Sequence, residues 1–67
     1  MRLSQAQCDE LESLIDNSSL SEVVNELTRI CYAKAFHLLA NWQDKGQAKE
    51  WTTAARKLES TCARISV

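Results

Sequence analysis

The chain has 67 residues, enough for one domain, and a domain of this size buries only about 60% of the surface that its unfolded chain exposes. It contains one glycine and no proline, so it lacks the turn residues that a multi-stranded sheet needs between its strands. Apolar residues make up 45% of the sequence and the net charge is −1, which excludes an intrinsically disordered chain. We therefore predict an all-α protein.

Three cysteines, at positions 8, 31 and 62, form an odd and widely spaced set. This spacing is not typical of the disulfide framework of a small secreted protein, and we expect free thiols. No stretch approaches the roughly 20 apolar residues of a transmembrane helix, and no signal-peptide pattern is present. We expect a cytoplasmic protein without a membrane partner.

The first predicted helix covers about residues 5–16. Ser4 and Gln7 have the spacing of a capping box, in which side chains satisfy free N–H groups at the start of a helix. The apolar side chains fall on one stripe: Cys8, Leu11, Leu14 and Ile15. Because so short a helix is marginal alone, we expect it to pack across the two helices that follow.

The central predicted helix covers about residues 20–43, and Ser19 with Glu22 offers a second capping box at its start. In its first half one stripe holds the apolar residues, which a single neighbouring helix is expected to cover. The residues of this stripe are Leu20, Val23, Val24, Leu27, Ile30 and Cys31.

In the second half of the central helix the apolar surface becomes wider. Ala35, Leu38 and Trp42 continue the stripe, and a second flank is formed by Tyr32, Phe36 and Leu39. The apolar arc then exceeds half of the circumference, which is typical of a helix that is packed on two sides.

A tight reversal follows, for which two interpretations remain open. Either Gly46 ends the central helix as a left-handed residue, or Asp44 caps the next helix together with Gln47. The last helix is predicted over about residues 45–65, with apolar positions at alternating spacings of three and four: Ala48, Trp51, Ala55, Leu58, Cys62 and Ile65. This spacing favours an antiparallel hairpin of the two long helices, completed to a three-helix bundle by the short N-terminal helix.

Several reactive residues have ordinary structural interpretations. Lys34 falls inside the apolar stripe, where it either extends its stem along apolar surface or pairs with an acidic side chain that sets helix register. His37 is expected on the surface, and the cysteines are expected in the core as small apolar residues. Because the cysteines have no metal-binding spacing, we predict no metal site and no cofactor.

The excess apolar surface predicts a partner. We expect a second copy, in a symmetric dimer built on the central helices, and further binding of another protein. The predicted partner-binding residues are Tyr32, Lys34, Phe36, Leu39 and Trp42. With one histidine and no glycine-rich loop, the sequence does not predict an enzyme.

A basic face on the last helix gives the alternative hypothesis, a nucleic-acid-binding regulator. Its candidate phosphate-binding residues are Lys49, Arg56, Lys57 and Arg64. Residues 1–30 contain two basic and six acidic side chains, and residues 31–67 contain six basic and three acidic ones, so the two parts carry −4 and +3. Because opposite charges also favour packing of the two parts against each other, we prefer the protein-binding hypothesis.

Overall fold

Three α-helices follow one another along the chain: α1 (Gln5–Asn17), α2 (Leu20–His37) and α3 (Lys45–Cys62). A π-helical segment, Leu38–Trp42, extends α2. The structure is a computed structural model that describes residues 1–42 and 44–67, with residue 42 described by its backbone only. The described residues contain no strand, and the predicted all-α fold of three helices is confirmed.

A side-chain cap starts each helix as predicted, although the reciprocal Glu22 bond of the box predicted at α2 is not formed. At α1 the box is complete, because Ser4 Oγ accepts the Gln7 N–H at 3.2 Å and Gln7 Oε1 accepts the Ser4 N–H at 2.8 Å. At α2, Ser19 Oγ accepts the N–H of Glu22 at 3.1 Å. These bonds satisfy N–H groups that have no partner within their own helix.

The reversal between the long helices follows the second of the two interpretations. Asp44 Oδ1 accepts the Gln47 N–H at 3.0 Å and caps α3, and Gly46 lies inside the first turn of that helix. Regular α geometry in the central helix ends at His37, and the predicted last residue, Gln43, lies outside the described residues.

The last helix is shorter than predicted, because α3 ends at Cys62 and not at 65. The Arg64 N–H donates to Thr61 O at 2.9 Å, and Val67 O accepts the N–H of Ser21 at 2.8 Å. Ser21 lies in the first turn of α2, where N–H groups lack helical partners. The residues after α3 therefore leave the helix and bond to the start of α2.

Helices α2 and α3 pack against each other through small side chains. The buried residues of the described chain are Thr28 and Ala35 on α2 and Ala48 and Ala55 on α3. The two residues of each pair are seven apart, so each pair lies on one face of its helix. Small side chains at a helix contact allow the shorter interaxial distances. We call these four residues the small-residue contact.

This contact corrects the predicted core of α2. The stripe around Leu27 and Ile30 was expected to face the neighbouring helix, yet both side chains are partly exposed. Helical phase explains the difference, because Thr28 and Ala35 lie about 80–100° around the helix from Leu27. When the small residues face α3, the large apolar residues turn to the two sides of the pair.

Helix α1 contacts α2 but not α3, so the prediction that it packs across the hairpin is wrong. The reversal at Ser18 and Ser19 places α1 beside α2, and α3 lies against a different face of α2. No residue of α1 is buried. The Cα positions span 37 × 28 × 16 Å, a flat shape in which α2 is the middle helix.

Candidate functional site

The apolar flank predicted on α2 is exposed. The side chain of Phe36 is 73% exposed, that of Leu39 48% and that of Tyr32 37%. Single exposed apolar residues are ordinary, but adjacent ones on one helix face indicate a contact surface. Trp42, which was predicted to belong to this set, has a side chain outside the described residues.

Part of the predicted basic face adjoins this flank. Leu39 lies in one shallow depression of about 280 Å³ with Lys45, Lys49 and Arg56, all exposed. Two sets of residues that the sequence presented as rival surfaces are thus parts of one surface. We call it the aromatic–basic face and define it as Tyr32, Phe36, Leu39, Lys45, Lys49 and Arg56.

Of the other two predicted phosphate-binding residues, Lys57 adjoins this face and Arg64 lies apart from it. Lys57 lines a second depression, which it shares with Lys49, Glu50 and Thr53. Arg64 lies beyond the end of α3, in the segment that turns toward α2. The structure therefore keeps three of the four predicted phosphate-binding residues together and separates Arg64 from them.

Tyr32 meets two charged residues of α3. The carboxylate of Glu59 raises the pKa of Tyr32 above its usual value, mainly by hydrogen bonding to the phenol, and desolvation and the negative charge act in the same direction. The neighbouring Arg56 lowers this pKa but does not cancel the effect. Tyr32 therefore lies on the side of the aromatic–basic face that adjoins Glu59 and Arg56.

Lys34 does not join the predicted partner-binding set. Its Nζ lies 5.4 Å from the ring centroid of Trp51, a cation–π contact between α2 and α3. Its side chain is exposed and lines a depression with Ile30 and His37, and by helical phase Lys34 lies about 160° around α2 from Phe36. This position agrees with the interpretation in which the stem follows apolar surface and the ammonium group stays in water.

The remaining polar candidates have local partners. The exposed His37 ring pairs through Nδ1 with Asn41 Nδ2 at 3.0 Å. The only ion pair among the described residues joins Arg29 and Glu26 on the surface of α2, and it lowers the pKa of Glu26, chiefly through the hydrogen bond from Arg29.

The cysteines lie in three different environments. Cys31 and Cys62 are partly buried, and Cys62 Sγ donates to Ser21 O at 3.3 Å. Cys8 is exposed, so the prediction of a core position is wrong for this residue, because α1 contacts only α2 and none of its residues is buried. Within residues 1–42 and 44–67, no three side chains of the metal-binding types gather into a possible ion site.

An open groove lies between α1 and α2, and the sequence pattern did not predict it. It has a volume of about 390 Å³, and its apolar lining comes from both helices: Leu11, Leu14, Val23, Leu27 and Ile30. Glu22 and Glu26 line the same groove. The acidic excess of residues 1–30, beside two apolar stripes, was the signal in the sequence that could have revealed it. We call it the α1–α2 groove.

No protein-family model matches the chain, and no curated protein or solved structure matches it either. None of the described helices combines the length and apolar character that crossing a membrane requires.

Proposed function

We propose that the chain is a small, non-enzymatic protein-binding module that acts through helical surface and forms a homodimer. The aromatic–basic face is the proposed contact between copies, with Phe36 at its centre. Its cations stand beside the apolar residues and, at an exposed rim, contribute little for or against association. We place the protein in the cytoplasm, because free thiols suit a reducing compartment.

The exposure of Phe36 is the observation that carries this proposal. A side chain of this size left in water forgoes about 1.5–3 kcal/mol of burial free energy. The open shape supports the same conclusion, since a compact domain of this length has a radius of gyration of about 11 Å. The radius of gyration of this chain is 13.7 Å, and the side chains that are buried among the described residues are all small.

Molar mass by light scattering tests the dimer. The wild-type chain at micromolar concentration should have twice the mass of one copy, and Phe36→Gln should shift it to a monomer. Leu14→Gln is the matched control and should leave the dimer intact. Leu14 is 59% exposed and belongs to α1, which lies on the other side of α2. A monomeric wild-type chain would remove the dimer from the proposal.

Nucleic-acid binding is the second candidate function, and the juxtaposition of cations with exposed aromatic residues favours it. Single-stranded nucleic acids bind grooves in which cations track the phosphates and aromatic rings stack on bases. In this case the affinity for a single-stranded oligonucleotide should fall steeply with salt, and Lys49→Gln should reduce that slope. An affinity independent of salt, or no binding at low salt, would exclude this function.

A further inference from the structure

The α1–α2 groove is an open apolar site with large side chains at its surface. Leu14 is 59% exposed, Leu27 42%, and α1 has no buried residue. Helix α3 cannot cover the groove, because it is held against α2 by the small-residue contact. On α2, Val23, Leu27 and Ile30 are spaced by four and three residues, so they form a row along the groove. Such a row fits the apolar stripe of another helix.

The charges of the groove are of one sign. Its ionisable lining residues are Glu22 and Glu26, and no lysine or arginine lines it. Glu26 is paired with Arg29, which lines a different depression, so among the described residues Glu22 supplies the uncompensated charge of the groove. The part of the chain that forms the groove, residues 1–30, carries a net charge of −4. An occupant with lysine or arginine beside its apolar row would be complementary.

We propose that the α1–α2 groove binds a basic amphipathic helix of a partner protein, with leucine-type side chains between Leu14 and Leu27 and cations beside Glu22 and Glu26. This inference rests on the proposed protein-binding role but uses a face other than the proposed dimer contact. The module then holds a second copy on one side of α2 and a partner helix on the other.

A second copy is a poorer occupant of the groove. Its own α1–α2 groove is lined by the same carboxylates, so two grooves facing each other bring no cation to Glu22 and Glu26. Its basic helix, α3, turns Ala48 and Ala55 toward α2 and presents Lys49, Glu50 and Thr53 outward, which gives no row of large apolar residues. The aromatic–basic face of a second copy does combine large apolar residues with cations, but it is divided between two helices and is already assigned to the dimer contact. A single partner helix that combines both features is therefore the better occupant.

Fluorescence anisotropy with a labelled synthetic peptide tests the site. The probe is a helical peptide with leucines at spacings of three and four residues and lysines along both flanks. Two control peptides are used. The first keeps the leucines and has glutamates in place of the lysines, and the second keeps the lysines and has its leucines at irregular spacings. The wild-type chain should bind the probe at least about tenfold more tightly than either control.

Two matched variants locate the binding. Leu14→Gln should weaken probe binding about tenfold, whereas Leu3→Gln, which replaces an equally exposed leucine outside both the groove and the dimer contact, should leave it unchanged. Glu22→Gln should reduce the dependence of the affinity on salt. Equal binding of the three peptides, or equal binding of the probe by Leu14→Gln and wild type, would overturn the inference.

Light scattering separates this inference from the proposed dimer. If the chain is a monomer but binds the probe through Leu14, the dimer fails and the groove proposal stands. If the chain is a dimer that does not bind the probe, the groove proposal fails alone. If Leu14→Gln abolishes self-association, a second copy occupies the groove, and the proposal of a partner helix is overturned.

Discussion

Replacement of Ala55 by leucine should destabilise the fold, because Ala55 is completely buried in the small-residue contact. Two contacts give the register of the antiparallel pair, Cys62 with Ser21 and Lys34 with Trp51. This register places Ala55 near the level of Thr28. Three added carbon atoms at that position must push the helices apart or force strained rotamers. Such overpacking costs about 1–3 kcal/mol.

The loss is large relative to the stability of the whole chain. Because the free energy of unfolding is about 0.05–0.15 kcal/mol per residue, a chain of this length has a free energy of unfolding of roughly 3–10 kcal/mol. For a domain of this size each kcal/mol shifts Tm by about 4–8 °C, so Ala55→Leu should lower Tm by at least about 4 °C. Thermal unfolding followed by circular dichroism measures the Tm of both chains. The two chains are compared at the same protein concentration, because association also stabilises the folded state.

Ala33→Leu is the matched control, since Ala33 is exposed on α2 and the chemical change is the same. Its effect should stay within about 0.5 kcal/mol. If Ala55→Leu melts at the wild-type temperature, helices α2 and α3 are not packed through small side chains. The explanation for the exposed side chains of α2 would then fail as well.

Two further predictions concern Tyr32 and Cys8. Tyr32 is the only tyrosine, so an absorbance titration reports its pKa directly. Glu59→Gln should lower that pKa toward about 10, whereas the control Glu50→Gln should leave it unchanged. An unchanged pKa in Glu59→Gln would contradict the contact between Tyr32 and Glu59. Because the folded-state pKa is raised, the stabilisation is present below about pH 10 and is lost as pH rises through the folded pKa. Cys8 should react with a thiol reagent faster than the other two cysteines, because its side chain is exposed. Cys8→Ser should remove the fast phase of the labelling reaction. Equal labelling rates of the three cysteines would refute the exposed position of Cys8.

Features that depend on neighbouring residues in the sequence were predictable. Ser4, Ser19 and Asp44 cap the three helices because a cap needs only a side-chain acceptor and an N–H group three residues later. The all-α fold followed from composition for a similar reason, since the lack of turn residues acts everywhere along the chain. The end of α3 was not predictable, because it depends on Ser21, a residue far away in the sequence.

The orientation of α2 could not be predicted from its own residues. Hydrophobic periodicity places the centre of the apolar stripe near Leu27, as if the largest residues decided which face is covered. The observed contact is instead decided by the neighbour, because α3 offers alanines at positions 48 and 55 and the small side of α2 can approach them closely. The sequence indicated close approach at these alanines, but it did not indicate which face of α2 would meet them.

The candidate surfaces follow from this single choice of face. When Thr28 and Ala35 meet α3, Leu27 and Ile30 turn toward α1, and Phe36 turns toward solvent near the basic side chains of α3. A bundle with Leu27 against α3 would have buried the same leucines and would have offered neither the α1–α2 groove nor the aromatic–basic face. Packing through small residues sacrifices buried area in one chain, and that loss can be recovered only when other molecules cover the two sides of α2. This is the physical reason to regard the chain as a binding module, with an acidic groove on one side of α2 and a basic face on the other.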